Sequence, residues 1–321
     1  MKKYDVVALG ELLIDFTQNG MSDQGNPIFE ANPGGAPCNV LAMLNRFSHK
    51  TAFIGKVGND FFGRQLRDAL QEVGIDSHAL LFDDEVPTTL AMVHTLPDGD
   101  REFSFYRDPG ADVRLTPEEV PEEVVRSCRI FHFGTLSMTH ACVRAATEYA
   151  VSLAKSEGAV ISFDPNLRMS LWKDEQELRE AVEYGLSQCN ILKISDDEIQ
   201  WLTGESDYSK GVSWILQRYD IGLILVSMGR EGSRAYYKNQ MYEAKPYLRE
   251  ETIETTGAGD TFMGMVLHFV LTYGLDQLSG QQILEMLDTA NYAASIITTR
   301  KGALRVMPLP EELQRERKEN E

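Results

Sequence analysis

Residues 254–262, with the sequence ETTGAGDTF, place small residues, hydroxyls and one carboxylate directly ahead of an apolar run. The run 262–273 is closed by Gly274, which predicts a helix that begins near Ala258. The first N–H groups of a helix have no partner inside it and form the positive end of its dipole, so they can bind an anion. A carboxylate beside a phosphate repels it. We therefore interpret Asp260, within one turn of the anion, as the base that takes a proton from a hydroxyl attacking a phosphate.

The turn before this helix is the best candidate for binding the phosphates of a nucleotide. No GxxxxGK[ST] loop occurs in the chain, so a nucleotide has to be bound in another way. Gly257 and Gly259 let a phosphate approach the backbone around Ala258 without meeting a Cβ. The plainer alternative is a glycine-rich helix start with no ligand, and phosphate binding is favoured over it.

Two polar segments follow strands of a predicted parallel sheet, at the edge where open α/β sheets bind their ligands. The segment 163–168, FDPNLR, makes Asp164, Asn166 and Arg168 ligand candidates, with a plain Asp-Pro turn as the alternative. The segment 195–198, SDDE, either orients Mg²⁺ or forms a helix N-cap with acidic residues in the first turn. Residues 227–232, SMGREG, pass close to a nucleotide or form a hairpin bend. The two alternatives stay open for residues 195–198 and also for residues 227–232.

Alternating strands and helices from residue 129 onward predict a mostly parallel sheet. Residues 88–95 and 101–107 interrupt the pattern as a β-hairpin, which we interpret as a lid in preference to an edge ribbon of the main sheet. Residues 18–33 are polar and glycine-rich and lead into an apolar helix at 38–47. His132 and His140 have no spaced metal-ligand partners, so both are interpreted as structural.

Composition excludes several classes of function. The chain has 321 residues and a formal net charge of -18, which argues against nucleic-acid and anionic-membrane partners. No run reaches the length of a membrane-spanning helix, and residues 1–10 do not resemble a signal peptide. The four cysteines are far apart, so free thiols in a cytoplasmic protein are expected.

Two long motifs occur in the order typical of one enzyme family. Residues 34–42, GGAPCNVLA, continuing to 55–63, GKVGNDFFG, resemble the first signature of the ribokinase-like (PfkB) carbohydrate kinases, and residues 255–262 resemble the second. With 163–168 and 299–303 in register, the resemblance covers nearly the whole chain. Within the family, residues 105–112 and the Leu171-Trp172 pair are most similar to fructokinases.

The resemblance implies one ribokinase-like domain over residues 1–321, a three-layer α/β/α fold with a mostly parallel central sheet and a small β lid from about 15–35 and 87–107. It implies MgATP-dependent phosphorylation of a sugar hydroxyl, for fructose the one at C6. The catalytic residues would be the base Asp260 and an anion hole made by Gly257, Ala258 and Gly259. The sugar-contacting positions would be Asp15, Gly34, Gly35, Asn39, Tyr106 and Arg168. The nucleotide-lining positions would be Lys193, Ser195, Gly229, Gly232 and Asn291.

The resemblance also implies metal positions. Glu198 fits an acidic residue near the water shell of Mg²⁺, although Ser195 stands where ribokinase has Asn. Glu254, Thr256, Arg300 and Gly302 correspond to a loop for a monovalent cation such as K⁺. Glu254 replaces the Asp of most members, so K⁺ dependence stays open.

Asp260 lies at a predicted helix start. The positive end of the helix dipole is expected to lower the pKa of this carboxyl.

Two functional hypotheses follow from these implications. The first is a fructokinase, with a 2-keto-3-deoxygluconate or riboside kinase as the alternative of the same class. The second is a non-catalytic sugar-binding homologue, which the retained Asp260, Gly257 and Gly259 disfavour. The expected partners are a sugar and ATP, with a homodimer through the lid as a further option and no nucleic acid or membrane.

Overall fold

The computed structural model of this chain describes residues 2–95 and 101–315. Its strands are β1 Tyr4–Leu9, β2 Leu13–Met21, β3 Pro27–Gly34, β4 Thr51–Gly58, β5 Leu80–Asp83, β6 Leu90–Thr95, β7 Arg101–Tyr106, β8 Cys128–Gly134, β9 Val160–Asp164, β10 Ile191–Ser195, β11 Leu223–Ser227, β12 Ser233–Tyr237 and β13 Gln240–Ala244. Its α-helices are α1 Ala36–Arg46, α2 Phe61–Glu72, α3 Glu122–Arg126, α4 Ala141–Ser156, α5 Glu175–Gln188, α6 Asp196–Thr203, α7 Tyr208–Leu216, α8 Ala258–Tyr273, α9 Gly280–Ile297 and α10 Pro310–Arg315.

A large sheet forms the centre of the fold, with the strand order β13-β12-β11-β10-β9-β8-β1-β4-β5. The strands from β11 to β5 pair in parallel, while β12 and β13 continue the sheet as an antiparallel hairpin. This arrangement confirms the predicted mostly parallel α/β fold. Because parallel strands end at the same edge, the segments after β1, β9, β10 and β11 meet there.

Helices cover both faces of the sheet, so its central strands are apolar on both sides. In β1, Val6 and Ala8 pack into a core that includes α1, α8 and α9, whereas Val7 and Leu9 pack into a second core with α4 and α5. These four side chains are fully buried. The strand therefore reads as a continuous hydrophobic run, and this run also places the residues that follow it at the edge of the sheet.

A second sheet of four strands has the order β3-β2-β6-β7. The predicted hairpin at 88–107 is present as antiparallel β6 and β7, and its turn at 96–100 lies outside the described residues. The edge-ribbon alternative is wrong, because β6 pairs with β2 and not with the main sheet. The assignment of 18–33 as a polar segment missed strands β2 and β3, since their outer halves are largely exposed and lack an apolar pattern.

Side chains of the four-stranded sheet alternate between its two faces. Asp15 pairs with Asn32 and Ala91, and Ala91 pairs with Phe105, so these residues form one row on one face. The next row contains Ile14, Pro33, Leu90 and Tyr106 and faces the other way. Phe105 and Tyr106 are adjacent in sequence but belong to opposite faces.

Candidate active site

A cleft of about 700 Å³ lies between the carboxyl edge of the main sheet and the four-stranded sheet. Asp15 and Phe105 line it from the four-stranded sheet, and Asp260 lines it from the start of α8. The structure brings most of the sequence-predicted residues to this cleft. Those that line it are Asp15, Gly35, Asn39, Asn166, Arg168, Lys193, Ser195, Glu198, Thr256, Gly257, Gly259 and Asp260.

Helix α8 begins as the sequence predicts, with Gly257 as its N-cap at φ +76° and no side chain that caps it. A Cβ at Gly257 would lie 2.6 Å from the Cβ of Ala303, so this position is restricted to glycine by both conformation and space. The Ala258 N–H donates to the Thr255 carbonyl oxygen at 3.2 Å. This bond occupies the Ala258 N–H. The glycines on either side of it, Gly257 and Gly259, line the cleft, where backbone N–H groups of a helix start can serve an anion site.

The Asp260 carboxylate is held by one specific hydrogen bond. Nδ2 of Asn39 donates to Oδ2 of Asp260 at 2.8 Å, which joins helices α1 and α8 across the cleft floor. The carboxylate can only accept, so the amide nitrogen of Asn39 has to face it. Oδ1 of Asn39 then points away and, among the described residues, is buried without a partner. It is suited to accept a hydrogen bond from a hydroxyl of a substrate.

The pKa of Asp260 differs from the sequence-based expectation. Burial raises the pKa of Asp260 to about 6, and the negative charge of Asp164 adds to this effect. The Asn39 hydrogen bond and the charges of Lys193 and Arg168 act in the opposite direction but are smaller. The expected lowering of the Asp260 pKa was therefore wrong, because desolvation of the carboxylate outweighs the groups that lower the pKa.

Lys193 is a buried cation directly beneath the first turn of α8. Its Nζ is 3.0 Å from Oδ2 of Asp164, and a Cβ at Gly259 would lie 3.1 Å from the same Nζ. Burial alone would lower the pKa of Lys193, but the charges of Asp164 and Glu198 outweigh it and raise the pKa. Lys193 therefore stays charged next to the anion site, and Gly259 leaves the space between them open.

Ser195 and Glu198 form a capping box at the start of α6. The Ser195 Oγ accepts from the Glu198 N–H at 3.3 Å, and Oε2 of Glu198 accepts from the Ser195 N–H at 2.8 Å. Oε1 of Glu198 also accepts from the Leu167 N–H at 2.8 Å. The N-cap alternative for this segment is confirmed, and the same carboxylate still lines the cleft.

The sugar-facing predictions divide into two groups. Gly34 fits against Asp15, because a Cβ at Gly34 would lie 2.1 Å from Oδ2 of Asp15. Gly34 is outside the cleft lining, whereas Gly35 and Arg168 line the cleft. Tyr106 does not: its side chain is 65% exposed and faces away, and the adjacent Phe105 lines the cleft instead. Strand register decides which of the two aromatic residues faces inward, and the sequence motif does not specify it.

Sequence reasoning also missed Glu11 and Leu13, which line the cleft just after β1. Glu11 follows a strand whose last four residues are fully buried, and it is itself buried, with only 4% of its surface exposed. A carboxylate immediately after a buried strand of a parallel sheet was a usable signal, since ligand sites occur there.

A second cavity of about 380 Å³ lies on the other side of the α8 start. It contains the predicted nucleotide positions Gly229, Gly232 and Asn291, together with residues 246–249, which sequence reasoning missed. Asn291 is oriented by its Nδ2, which donates to the Lys245 carbonyl oxygen at 3.0 Å. Thr255 and Gly259 line both cavities, so the two spaces meet at the start of α8.

The loop predicted to bind a monovalent cation is closed by a hydrogen bond. Oε1 of Glu254 accepts from the Gly302 N–H at 2.8 Å. Arg300 is directed elsewhere: its Nη1 donates to the Val306 carbonyl oxygen at 2.8 Å, and its Nη2 pairs with Glu312. The Arg300 guanidinium therefore acts as a local brace of the C-terminal loop.

Within residues 2–95 and 101–315, no group of three or more His, Cys, Asp or Glu side chains is placed to hold a metal ion. No helix there is both long and apolar enough to cross a bilayer. The buried His132 bonds to Ser162 through Nδ1 at 2.9 Å, and burial lowers its pKa to about 3, in line with a structural role.

Comparison with known proteins identifies the class of protein that this fold and site define. The model of the pfkB family of carbohydrate kinases matches residues 3–310, and the chain belongs to that family. Fructokinase-1 of Zea mays is 37% identical over 310 residues, covering 96% of each chain. Probable fructokinase-4 of Arabidopsis thaliana is 36% identical over 311 residues, covering 96% of this chain and 95% of its own. The family resemblance read from the motifs is thus confirmed.

Solved structures agree with the family assignment. A fructokinase from Xylella fastidiosa with bound ATP superposes with a TM-score of 0.90 at 28% identity, covering 100% of this chain and 99% of that one. A fructokinase from Vibrio cholerae O395 bound to fructose, ADP and calcium superposes with a TM-score of 0.86 at 30% identity, covering 97% and 98%. The ribokinase-like fold expected from the sequence is confirmed by these neighbours.

Proposed function

We propose that this protein is an ATP-dependent fructokinase that transfers a phosphoryl group from ATP to the C6 hydroxyl of D-fructose. The observation that carries the proposal is the position of Asp260. It lines the first cavity, while its neighbour Gly259 lines both cavities at the α8 start. The fructokinase relatives over almost the whole chain favour fructose over 2-keto-3-deoxygluconate or a riboside. A non-catalytic homologue would have no need for this carboxylate.

Asp260 acts as the general base. It takes the proton of the C6 hydroxyl while that oxygen bonds to the γ-phosphorus and the bond from phosphorus to the departing ADP oxygen breaks. With a pKa near 6, Asp260 is mostly ionised at neutral pH and is a stronger base than an ordinary aspartate. Asn39 directs one carboxylate oxygen and leaves the other for the hydroxyl.

The first turn of α8 and Lys193 stabilise negative charge on the transferring group. The backbone of Gly257, Ala258 and Gly259 forms the anion hole, in which the Ala258 N–H also donates to the Thr255 carbonyl oxygen. The buried Lys193 ammonium lies beside Gly259. Fixed donors of this kind are already oriented before the reaction, so little reorganisation is needed in the transition state. The nucleoside part of ATP occupies the cavity that contains Gly229, Gly232 and Asn291.

When bound with the nucleotide, Mg²⁺ would neutralise charge on the transferring phosphoryl group. Glu198 fits an outer position, because its two oxygens already accept backbone N–H bonds and keep lone pairs for a metal-bound water. Glu254, Thr256, Arg300 and Gly302 remain the proposed segment for K⁺. The Glu254–Gly302 hydrogen bond occupies one of the oxygens that such a cation would use.

The four-stranded sheet serves as a lid that excludes water from the cleft, within one domain of 1–321. Its inner row, with Asp15 and Phe105, covers the sugar side of the cavity. Its exposed Met21, Ile28 and Tyr106 favour contact with the same sheet of a second copy. Light scattering on the purified protein checks this dimer. We also propose a cytoplasmic location, on the basis of the unpaired cysteines.

An acceptor screen tests the proposed function. ADP release is measured with MgATP and fructose, ribose, 2-keto-3-deoxygluconate or a nucleoside, with and without K⁺. Fructose is expected to give the highest kcat/KM, and a better alternative acceptor would refute the assignment. Asp260→Ala is expected to lower kcat by about 10³-fold, in the range of a lost general base, while calorimetry shows retained fructose binding. Full activity of this variant would contradict the role of Asp260.

A further inference from the structure

Glu11 is a buried carboxylate in the cleft to which neither the family motifs nor the proposed mechanism assigns a role. It lies between the main cavity and a small cavity of about 10 Å³ behind it, which is also lined by Ala36, His132 and Asp164. Its side chain is placed on the cleft floor by the end of β1. A buried carboxylate is costly unless it has a specific partner, so its contacts indicate its purpose.

The partner of Glu11 is the start of helix α1. Oε1 of Glu11 accepts from the Ala36 N–H at 2.8 Å. Helix α1 has Gly35 as its N-cap, without a side-chain cap and without an acidic residue in its first turn. Glu11 supplies from another segment the carboxylate that a helix start usually obtains locally.

The backbones of the two segments are in direct contact. Gly35 has φ +132°, and a Cβ there would lie 2.4 Å from the Glu11 carbonyl oxygen. The start of α1 can therefore not shift without disturbing the segment that follows β1. Glu11 and Gly35 together define the position of the helix end.

One turn along α1 is the residue that orients Asp260. The Asn39 N–H donates to the Gly35 carbonyl oxygen at 3.0 Å, and Asn39 Nδ2 donates to Asp260 Oδ2 at 2.8 Å. A displacement of the first turn is transmitted to Asn39 and then to the carboxylate. A shift of about 1 Å in such a contact can reduce a rate by 10²-fold.

We propose that Glu11 is a positioning residue: it fixes the first turn of α1 and, through Asn39, sets the direction of the Asp260 carboxylate. The kinetic part of this inference rests on the proposed function, whereas the geometric part does not. Glu11 does not need to touch the transferring group, because its effect passes through the Ala36 N–H and the helix.

The ionisation of Glu11 provides a signature that a purely structural side chain would lack. Burial raises the pKa of Glu11 to about 7, Arg107 opposes the shift and Asp112 adds to it. The carboxylate binds the Ala36 N–H most strongly when ionised, so the contact weakens as the pH falls through about 7. The other charged or titratable groups around it are Cys38, His132, Asp164 and Asp260.

Two variants and one control test the proposal. Glu11→Ala removes the acceptor, and kcat with fructose is expected to fall by about 10- to 100-fold with a smaller change in KM. Glu11→Gln keeps an acceptor oxygen, so it is expected to retain most of the activity. Because Gln does not ionise, the acid limb of its kcat/KM profile is expected to show the titration of Asp260 only. Asp207→Ala removes the cap of α7, away from the cleft, and is expected to leave kcat unchanged.

Crystal structures of Glu11→Ala and Glu11→Gln give a readout that does not depend on activity. The Asn39–Asp260 hydrogen bond is expected to lengthen or break in the Ala variant and to persist in the Gln variant. An unchanged 2.8 Å bond in the Ala variant, a kcat within twofold of the parent, or an unaltered acid limb in Glu11→Gln would each overturn the proposal. If the parent protein phosphorylates no sugar, the proposed function fails, and the crystal structures still decide the positioning role.

Discussion

The starts of helices α1 and α8 both face the cleft and are similar in sequence. They differ in what binds to their N-terminal N–H groups. Each has a glycine N-cap with positive φ and no side-chain cap of its own. At α1 the carboxylate of Glu11 occupies the N-terminal end. At α8 the nearby Glu254 instead bonds to Gly302, outside the helix. The N-terminal end of α1, which the Glu11 carboxylate occupies, is a rigid support. The N-terminal end of α8 has no such side chain and can bind an anion.

In the proposed reaction, the base is Asp260. The starts of α1 and α8 meet at Asp260. Helix α1 contributes the donor Asn39, and the first turn of α8 contains Asp260 itself. The resulting burial raises the pKa of Asp260 more than the surrounding donors lower it. Crowding of the two helices therefore creates both the orientation and the basicity that the proposed reaction requires.

The largest effect in this comparison is expected for Gly35→Ala. The new Cβ meets the Glu11 carbonyl oxygen and the residue has φ +132°, so the α1 start has to move. We expect a loss of about 3 kcal/mol in the free energy of unfolding, measured in urea. We also expect kcat/KM for fructose to fall by at least about 100-fold.

Gly158→Ala is the matched control for Gly35→Ala. It has φ +72° but no atom within 4 Å of the new Cβ. It is expected to cost about 1 kcal/mol of stability and no activity. Equal kinetic losses in the two variants would show that Gly35 has no special role at the α1 start.

An intermediate effect is expected for Asn39→Ala. The lost hydrogen bond stabilises the ionised form of Asp260, so its removal raises the pKa of Asp260 further above about 6. A protonated carboxyl cannot accept a proton, and activity will therefore be lost at a higher pH on the acid side. We expect kcat at neutral pH to fall by about 30-fold, as for loss of a hydrogen bond to a charged group.

The pH dependence of kcat/KM measures this shift directly. Asn45→Ala on the same helix serves as control, because Asn45 bonds to Val73 and Thr51 away from the cleft. It is expected to keep the parent acid limb. If the acid limb of the kcat/KM profile does not shift in Asn39→Ala, Asn39 does not influence the ionisation of Asp260.

The smallest effect is expected for Glu254→Ala. This change removes the acceptor of the Gly302 N–H but leaves the open end of α8 untouched. We expect a loss of about 1 kcal/mol in unfolding free energy and less than about threefold in kcat. Glu254→Gln keeps an acceptor and serves as control, and both variants are assayed with and without K⁺. A loss of kcat as large as that of Asn39→Ala would make Glu254 part of the anion site itself.

The sequence by itself predicted the features that depend on local chemistry and periodicity. The α8 start at Ala258 and the parallel strands ending in polar residues belong to this group, and the Ser195–Glu198 cap was one of two alternatives that the sequence left open. Such elements need only their own residues to be recognised, because caps and hydrophobic runs are local signals. Two long motifs also sufficed to indicate the kinase family.

Only the tertiary structure decided the features that depend on contacts between distant segments. The choice of Phe105 over Tyr106 follows from strand register, where one residue changes the face. The raised pKa of Asp260 arises from burial and from Asp164, which is almost a hundred positions away in the chain. The pairing of Glu11 with Ala36 likewise joins two segments whose spacing carries no signal. Burial and the summed effect of distant charges exist only after folding, which is why the sequence predicted the base but not its basicity or its support.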